Sequence, residues 1–314
     1  TMVIGSYFGE AGSSGYYWAI LVFTGLTLAY TLKGGLRSSL LTDAIQMVLF
    51  GVLLFVILGL ILPKAPGGLK AVMTSGEWKL SAGLNLFWVA LIQVFSYPFH
   101  DSVMTDRGFI SDPETIRKSF FWAGIIGALA IFLFSFVGVF AQLEGLSGQA
   151  PVAVSQYLGV GLMLIMNFIM ITSAASTLDS AFSSFAKLAV LDLKLGSDRK
   201  VWTGRLVMIL VCIAGTLPIF FNPEILSATT VSGTMVMGLA PVFLFWFFPS
   251  GRFSFLWSVG GGIVFGVLLT LGLWPESLTF FPGKYGDLLS VNLIGTLCCF
   301  GLFFLPHVFS NGTK

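Results

Sequence analysis

Thr172-Ser173-Ala174-Ala175-Ser176-Thr177-Leu178-Asp179-Ser180-Ala181-Phe182-Ser183-Ser184 is too polar for its surroundings. It lies inside an apolar run over 158–190, which is long enough to cross a bilayer as a helix. Ser173, Ser176, Thr177, Ser180 and Ser184 recur at i, i+3, i+4, i+7 and i+11, so on a helix their hydroxyls share one face. Asp179 adds a carboxylate at membrane depth, where ionisable groups are costly and usually functional. Hydroxyls and carboxylates are hard oxygen donors that suit small hard cations. A plainer account is also open. Membrane-helix hydroxyls bond back to their own carbonyls, and small residues let helices approach. A full stripe of hydroxyls together with Asp179 favours a cation-binding helix. Asn167 either extends that polar face or bonds across helices.

The rest of the chain fits a membrane setting. Of 314 residues, 56% are hydrophobic and 10% charged, against about 25% charged in a soluble domain. Mean hydropathy is +0.94. Apolar segments of spanning length occur at 15–32, 41–63, 85–105, 118–142, 158–190, 202–221, 227–249, 254–274 and 288–309. The reading is an all-α, polytopic helix bundle of about nine helices, one transmembrane domain over 1–314 with the lipid bilayer as its surroundings. Breaks are expected at Lys33-Gly34-Gly35, Pro63 to Gly68, Arg107 to Lys118, Glu144 to Gln149, Gly196 to Lys200, Asn222-Pro223, Pro249 to Arg252 and Pro275 to Lys284. Cys212, Cys298 and Cys299 all lie in apolar segments, which supports neither a disulfide framework nor a CxxC metal site. No basic patch interleaved with aromatics suggests nucleic-acid binding.

Basic residues set the orientation. If the first helix ends inside, the inner side receives Lys33, Arg37, Arg107, Arg117, Lys118, Lys187, Lys194, Arg199, Lys200, Arg205, Arg252 and Lys314. Only Lys64, Lys70, Lys79 and Lys284 fall outside. Residue 1 is then outside, which together with the lack of an initiator Met leads us to expect a fragment preceded by an odd number of crossings.

Two further stretches carry polar groups into apolar surroundings. In Tyr30-Thr31-Leu32-Lys33-Gly34-Gly35-Leu36-Arg37-Ser38-Ser39-Leu40-Leu41-Thr42-Asp43-Ala44-Ile45-Gln46 the glycines allow a tight inner turn. Thr42 or Asp43 either caps the next helix or, for Asp43, supplies a buried cation ligand or gate. Ser96-Tyr97-Pro98-Phe99-His100-Asp101-Ser102-Val103-Met104-Thr105-Asp106-Arg107 ends the third segment. Pro98 breaks or kinks a helix, which membranes tolerate where the freed groups line a cavity. His100 and Asp101 are read either as a polar helix end near the headgroups or, with Tyr97, as a binding or gating group. Val231 to Pro241 combines small residues with a mid-segment proline, and packing explains it adequately.

Three of these stretches together resemble the sodium/solute symporter family, which includes sodium–proline, sodium–glucose and sodium–sialic acid transporters. Gly34-Gly35-Leu36 followed by Thr42-Asp43-Ala44-Ile45-Gln46 is similar to the family's GGL…TD…Q signature, departing from it at Ser38-Ser39. Tyr97, ten residues before Arg107, is similar in spacing to the aromatic gate of the sugar transporters. Ser173 to Ser180 resembles the family's eighth core helix. The resemblance implies a LeuT-type inverted-repeat fold lacking its first three core helices. It implies that the Ser173 carbonyl and the Ser176 and Thr177 hydroxyls hold the main sodium ion. A second cation site then involves Asp43, Asp179 and Ser180, near Ser176. Asp179 stands where those relatives have serine, so it either strengthens cation binding or carries a proton. Tyr97, His100 and Asp101 take the gate and substrate cavity. No metal beyond sodium is implied.

The expected function is sodium-coupled symport of a small organic solute by alternating access, in a multi-pass plasma (inner) membrane protein. The alternatives are a proton-coupled or uncoupled carrier, or a transporter-like sensor module. An enzyme is the disfavoured class. Gly12-Ser13-Ser14-Gly15 matches a rhomboid-like GxSG, but His100 sits near the opposite membrane face, far beyond hydrogen-bond reach. Tyr285-Gly286-Asp287 does not extend to the GxGD of an aspartyl membrane protease.

Overall fold

The computed structural model describes residues 1–77, 79–97, 101–108, 111–195, 201–221 and 225–311, with the backbone alone at 34–42, 82, 102, 107, 225–228 and 309–311. Helices α1 (Met2–Phe8), α2 (Ser14–Ile61), α3 (Gly68–Thr74), α4 (Leu84–Gln93), α5 (Ser102–Gly108), α6 (Pro113–Leu143) and α7 (Ala150–Tyr157) come first. They are followed by α8 (Val160–Lys187), α9 (Val201–Thr216), α10 (Ile225–Val236), α11 (Ala240–Leu244), α12 (Arg252–Thr270) and α13 (Gly286–Asn311). No strand occurs among the described residues.

Among the described residues, seven segments are long and apolar enough to span a membrane: Ser14–Lys33, Asp43–Ile61, Pro113–Leu143, Val160–Asp192, Val201–Phe221, Arg252–Thr270 and Gly286–Val308. Their outer faces carry large apolar side chains such as Leu26, Val48, Ile131, Trp202 and Val264, all more than half exposed. Exposed apolar surface on that scale belongs in lipid. The chain is a multi-pass, all-helical integral membrane protein.

Two of the nine expected spans are interrupted. The segment expected at 85–105 stops as a helix at Gln93, turns at Val94 to Ser96, is helical again at Tyr97, and later includes α5. The expected break at Pro98 falls on a residue outside the described set. The segment expected at 227–249 changes at a 3₁₀ turn, Met237–Leu239, which lets Pro241 sit in the first turn of α11, where its missing N–H costs nothing.

The break expected at Lys33-Gly34-Gly35 is not seen, because α2 is assigned as one helix of 48 residues. On a straight helix Tyr30 and Asp43, thirteen residues apart, would be separated by about 20 Å. Tyr30 nevertheless bonds at Ala175 and Asp179 while Asp43 bonds at Ser176. Both halves of α2 therefore reach the same turn of α8. The continuous assignment also places Asp43 inside a helix, which removes its expected role as an N-terminal cap.

The chain divides into two compact units. The first contains Thr1–Ser75 and Asp106–Asn222. Leu53, Leu54, Ile57, Leu58 and Ile61 form one face of α2, at helical spacing. That face packs against Val137, Phe140 and Ala141 of α6, Val154 of α7, and Leu162, Met166 and Ile169 of α8. In lipid, dispersion and close fit rather than water exclusion hold such a cluster. Ser13 caps α2 by accepting the Tyr16 amide at 3.3 Å, a local task for the serine of the GxSG-like stretch. Asp112 caps α6 by accepting the Thr115 amide at 3.1 Å, with Pro113 in the first turn.

The second unit contains Gly76–Thr105 and Pro223–Lys314. Here α12 crosses the end of α10 at two glycines. A Cβ on Gly238 would sit 2.8 Å from the Val259 Cα, and one on Gly262 would sit 2.6 Å from the Met235 carbonyl oxygen. Ser258 secures the crossing by donating to the Gly238 carbonyl at 2.6 Å.

Candidate functional site

Within the first unit, α8 and both halves of α2 form a polar seam. On α8, Asp179, Ser180 and Ser184 are buried, Ser176 is half-buried, and Ser173 and Thr177 are exposed. The hydroxyl stripe thus grades from an open part at Ser173 and Thr177 to a closed part at Asp179 and Ser180. The Thr177 hydroxyl donates to the Ser173 carbonyl at 3.1 Å. This is the local back-bond expected of membrane-helix threonines. It also places the two oxygens that the family resemblance couples next to each other, and the hydroxyl's lone pairs stay available to a cation.

Ser176 donates to the Asp43 carboxylate, a contact between residues 133 apart in the chain. Three residues on, Asp179 is only 1% exposed, so its carboxylate depends on hydroxyl donors from the protein. Tyr30 donates to Asp179 Oδ2 at 2.9 Å, and Ser180 to Oδ1 at 3.3 Å. The Tyr30 hydroxyl is also 3.1 Å from the Ala175 carbonyl oxygen. Two carboxylates, Asp43 and Asp179, therefore reach one turn of one helix through hydroxyl partners. Like charges so placed at membrane depth favour a cation beside them.

Oxygens without partners adjoin this cluster in sequence. Gln46 Oε1, one turn beyond Asp43 on α2, and Ser183 Oγ, one turn beyond Asp179 on α8, are buried without a hydrogen bond. Asn167 Oδ1, earlier on α8, is likewise unpartnered. A buried acceptor with nothing to accept is costly, and such oxygens suit an ion or a water that would complete them. The available donor set is carboxylate, hydroxyl and amide oxygen, matching a hard cation.

The expected gate residues are placed differently. Tyr97 and Asp101 belong to the second unit, and His100 lies outside the described residues. Tyr97 is half exposed. Asp101 accepts the amides of Val103 at 2.9 Å and Met104 at 3.4 Å, the bonds by which a carboxylate caps a helix such as α5. Asp101 thus caps α5, and Tyr97 and Asp101 are the described members of the expected gate.

Three features of the first unit were not singled out from sequence: Tyr30 as partner of Asp179, the unpartnered Gln46 oxygen, and an ion pair between Lys187 in the last turn of α8 and Asp106 of α5. Asp106 is nearly buried at 11% and Lys187 is 38% exposed, so the pair is screened on one side only. Comparison with models of protein families gives no match, and comparison with curated proteins gives none either.

Proposed function

We propose that this chain works in sodium-coupled secondary transport of a small organic solute, as a member of the sodium/solute symporter type with LeuT-type architecture. The observation that carries this reading is the bond from Ser176 to the Asp43 carboxylate, which joins the hydroxyl stripe of α8 to the TD…Q stretch of α2. Those are two of the three stretches on which the resemblance rests.

Sodium is cargo in this reading. The Ser173 carbonyl and the hydroxyls of Ser176 and Thr177 hold one ion. Asp43, Asp179 and Ser180 form the second cation site, with Gln46 Oε1 as a further oxygen on the Asp43 side. Each serine or threonine hydroxyl can donate its proton to a neighbour and still present lone pairs to the ion. Ion binding stabilises the conformer in which α2 and α8 are drawn together, and the solute favours the same conformer, so coupling is a population shift. Tyr97 and His100 act at the solute side, and the protein sits in the plasma (inner) membrane. Asp179, gripped by Tyr30, favours proton coupling as the second reading.

The test is uptake by the full-length protein in vesicles, with a panel of sugars, amino acids, carboxylates and urea offered with and without a sodium gradient. Ser176→Ala and Thr177→Ala are each expected to raise the half-saturating sodium concentration at least about tenfold, the loss of one charge-assisted contact. Unchanged sodium dependence in both variants removes the ligand assignment, and uptake driven equally by a proton gradient selects the second reading.

A further inference from the structure

The single turn Ala175 to Asp179 of α8 is gripped from two places on α2. Asp43, on the second half of α2, takes the Ser176 hydroxyl. Tyr30, on the first half, supplies the other grip, and its chemistry differs. The phenol has one proton and two acceptors in reach, Asp179 Oδ2 at 2.9 Å and the Ala175 carbonyl at 3.1 Å. Tyr30 is 40% exposed while Asp179 is 1% exposed, so the phenol reaches from an open surface to a buried residue.

We propose that Tyr30 is a positioning residue of the cation site: its hydroxyl fixes the Asp179 carboxylate and links cation occupancy of the α8 turn to the first half of α2. The inference rests on the sodium-site reading above and adds a residue that reading does not contain. With Oδ2 held by Tyr30, Oδ1 is the oxygen directed at Ser180, at 3.3 Å. That orientation sets which carboxylate oxygen the second cation site can use. A cation drawn to Asp43 and Asp179 pulls on the same carboxylate that Tyr30 holds, so the phenol responds to occupancy although it is not itself a ligand. A buried carboxylate that loses a donor reorients toward its remaining partners, which spoils a site built on its geometry.

The test is equilibrium binding of radioactive sodium to the full-length protein. Tyr30→Phe removes one oxygen and keeps the ring packed, and Asp179→Asn removes the charge that Tyr30 holds. Tyr30→Phe is expected to weaken sodium binding roughly tenfold, as for loss of a hydrogen bond to a charged group. In the Asp179→Asn background the same change is expected to have no further effect, a non-additivity that general loosening of the fold does not produce. If Ser176→Ala weakens binding while Tyr30→Phe leaves it unchanged, or if the Tyr30 and Asp179 effects simply add, this inference is overturned and the sodium site stands. If Ser176→Ala also leaves binding unchanged, the sodium-site reading itself has failed. Should Tyr30→Phe not fold, 3-fluorotyrosine placed at position 30 gives a second readout. Its fluorine resonance is expected to move on sodium addition, and a resonance indifferent to sodium overturns the proposal.

Discussion

Among the described residues, a polar cluster in the first compact unit and another in the second are built on opposite principles. In the second unit, Gln93 of α4, Thr230 and Thr234 of α10, and Asn292 of α13 form a closed network. Gln93 Nε2 donates to Asn292 Oδ1 at 3.1 Å and to the Thr230 carbonyl at 3.2 Å. Asn292 Nδ2 donates to Thr234 Oγ1 at 3.0 Å and to the Leu288 carbonyl at 2.9 Å. Thr234 completes the circuit on the Thr230 carbonyl at 2.9 Å. Every member is neutral, Asn292 and Thr234 are fully buried, and the Asn292 amide is fully used. The cluster in the first unit carries two carboxylates and adjoins unpartnered oxygens on Gln46 and Ser183. A closed neutral network fastens helices, whereas a charged cluster with spare acceptors is suited to a guest. Polarity in an apolar helix therefore does not by itself mark a site. Charge and unfilled hydrogen-bonding capacity do.

Mutations that exchange these roles should break that contrast if it is wrong. The largest effect is expected from Asp43→Asn, which removes the charge that Ser176 meets. Sodium affinity should fall about a hundredfold, close to 3 kcal/mol, while thermal stability in sodium-free buffer changes little or rises as a charge at membrane depth is relieved. Asn292→Leu should do the reverse. It removes one of the partners of the Gln93 amide and one of those of the Thr234 hydroxyl, so thermal unfolding should show a loss of about 1–2 kcal/mol, with sodium affinity unchanged. Gly262→Ala tests the packing of the same unit, since the added methyl meets the Met235 carbonyl. A loss of about 1–3 kcal/mol is expected, again without change in sodium binding. The smallest effect belongs to Lys187→Gln at the end of α8. A partly exposed pair contributes about 1 kcal/mol or less, and the Asp106→Lys, Lys187→Asp exchange should restore it.

Much of this architecture was legible in the sequence because it follows from local rules. The spanning segments follow from apolar length, whereas the interruption at Met237–Leu239 was not anticipated, although Pro241 beside it cannot continue a helix at its interior. The stripe on α8 could be placed on one face from spacing alone. What the sequence did not disclose depends on distance along the chain. The partner of Asp179 is Tyr30, 149 residues away, and that of Lys187 is Asp106, 81 residues away. No periodicity links either pair. Asp43 shows the limit from the other side, because a carboxylate following two glycines fits a helix cap as well as it fits a ligand. Its place inside α2 removes the cap, and its contact with Ser176 could not be read from spacing. Asp101, by contrast, does take up the amides that open α5. Short helices such as α1 and α7 were missed because they are too brief to show as apolar runs.

The central claim is that the seam between α2 and α8 is a sodium site, and the direct measurement is saturation binding of radioactive sodium to the full-length protein and to its Ser176→Ala and Asp43→Asn variants. The account predicts saturable binding in the unmodified protein, weakened roughly tenfold by the first substitution and about a hundredfold by the second. Binding of unchanged affinity in both variants would contradict it.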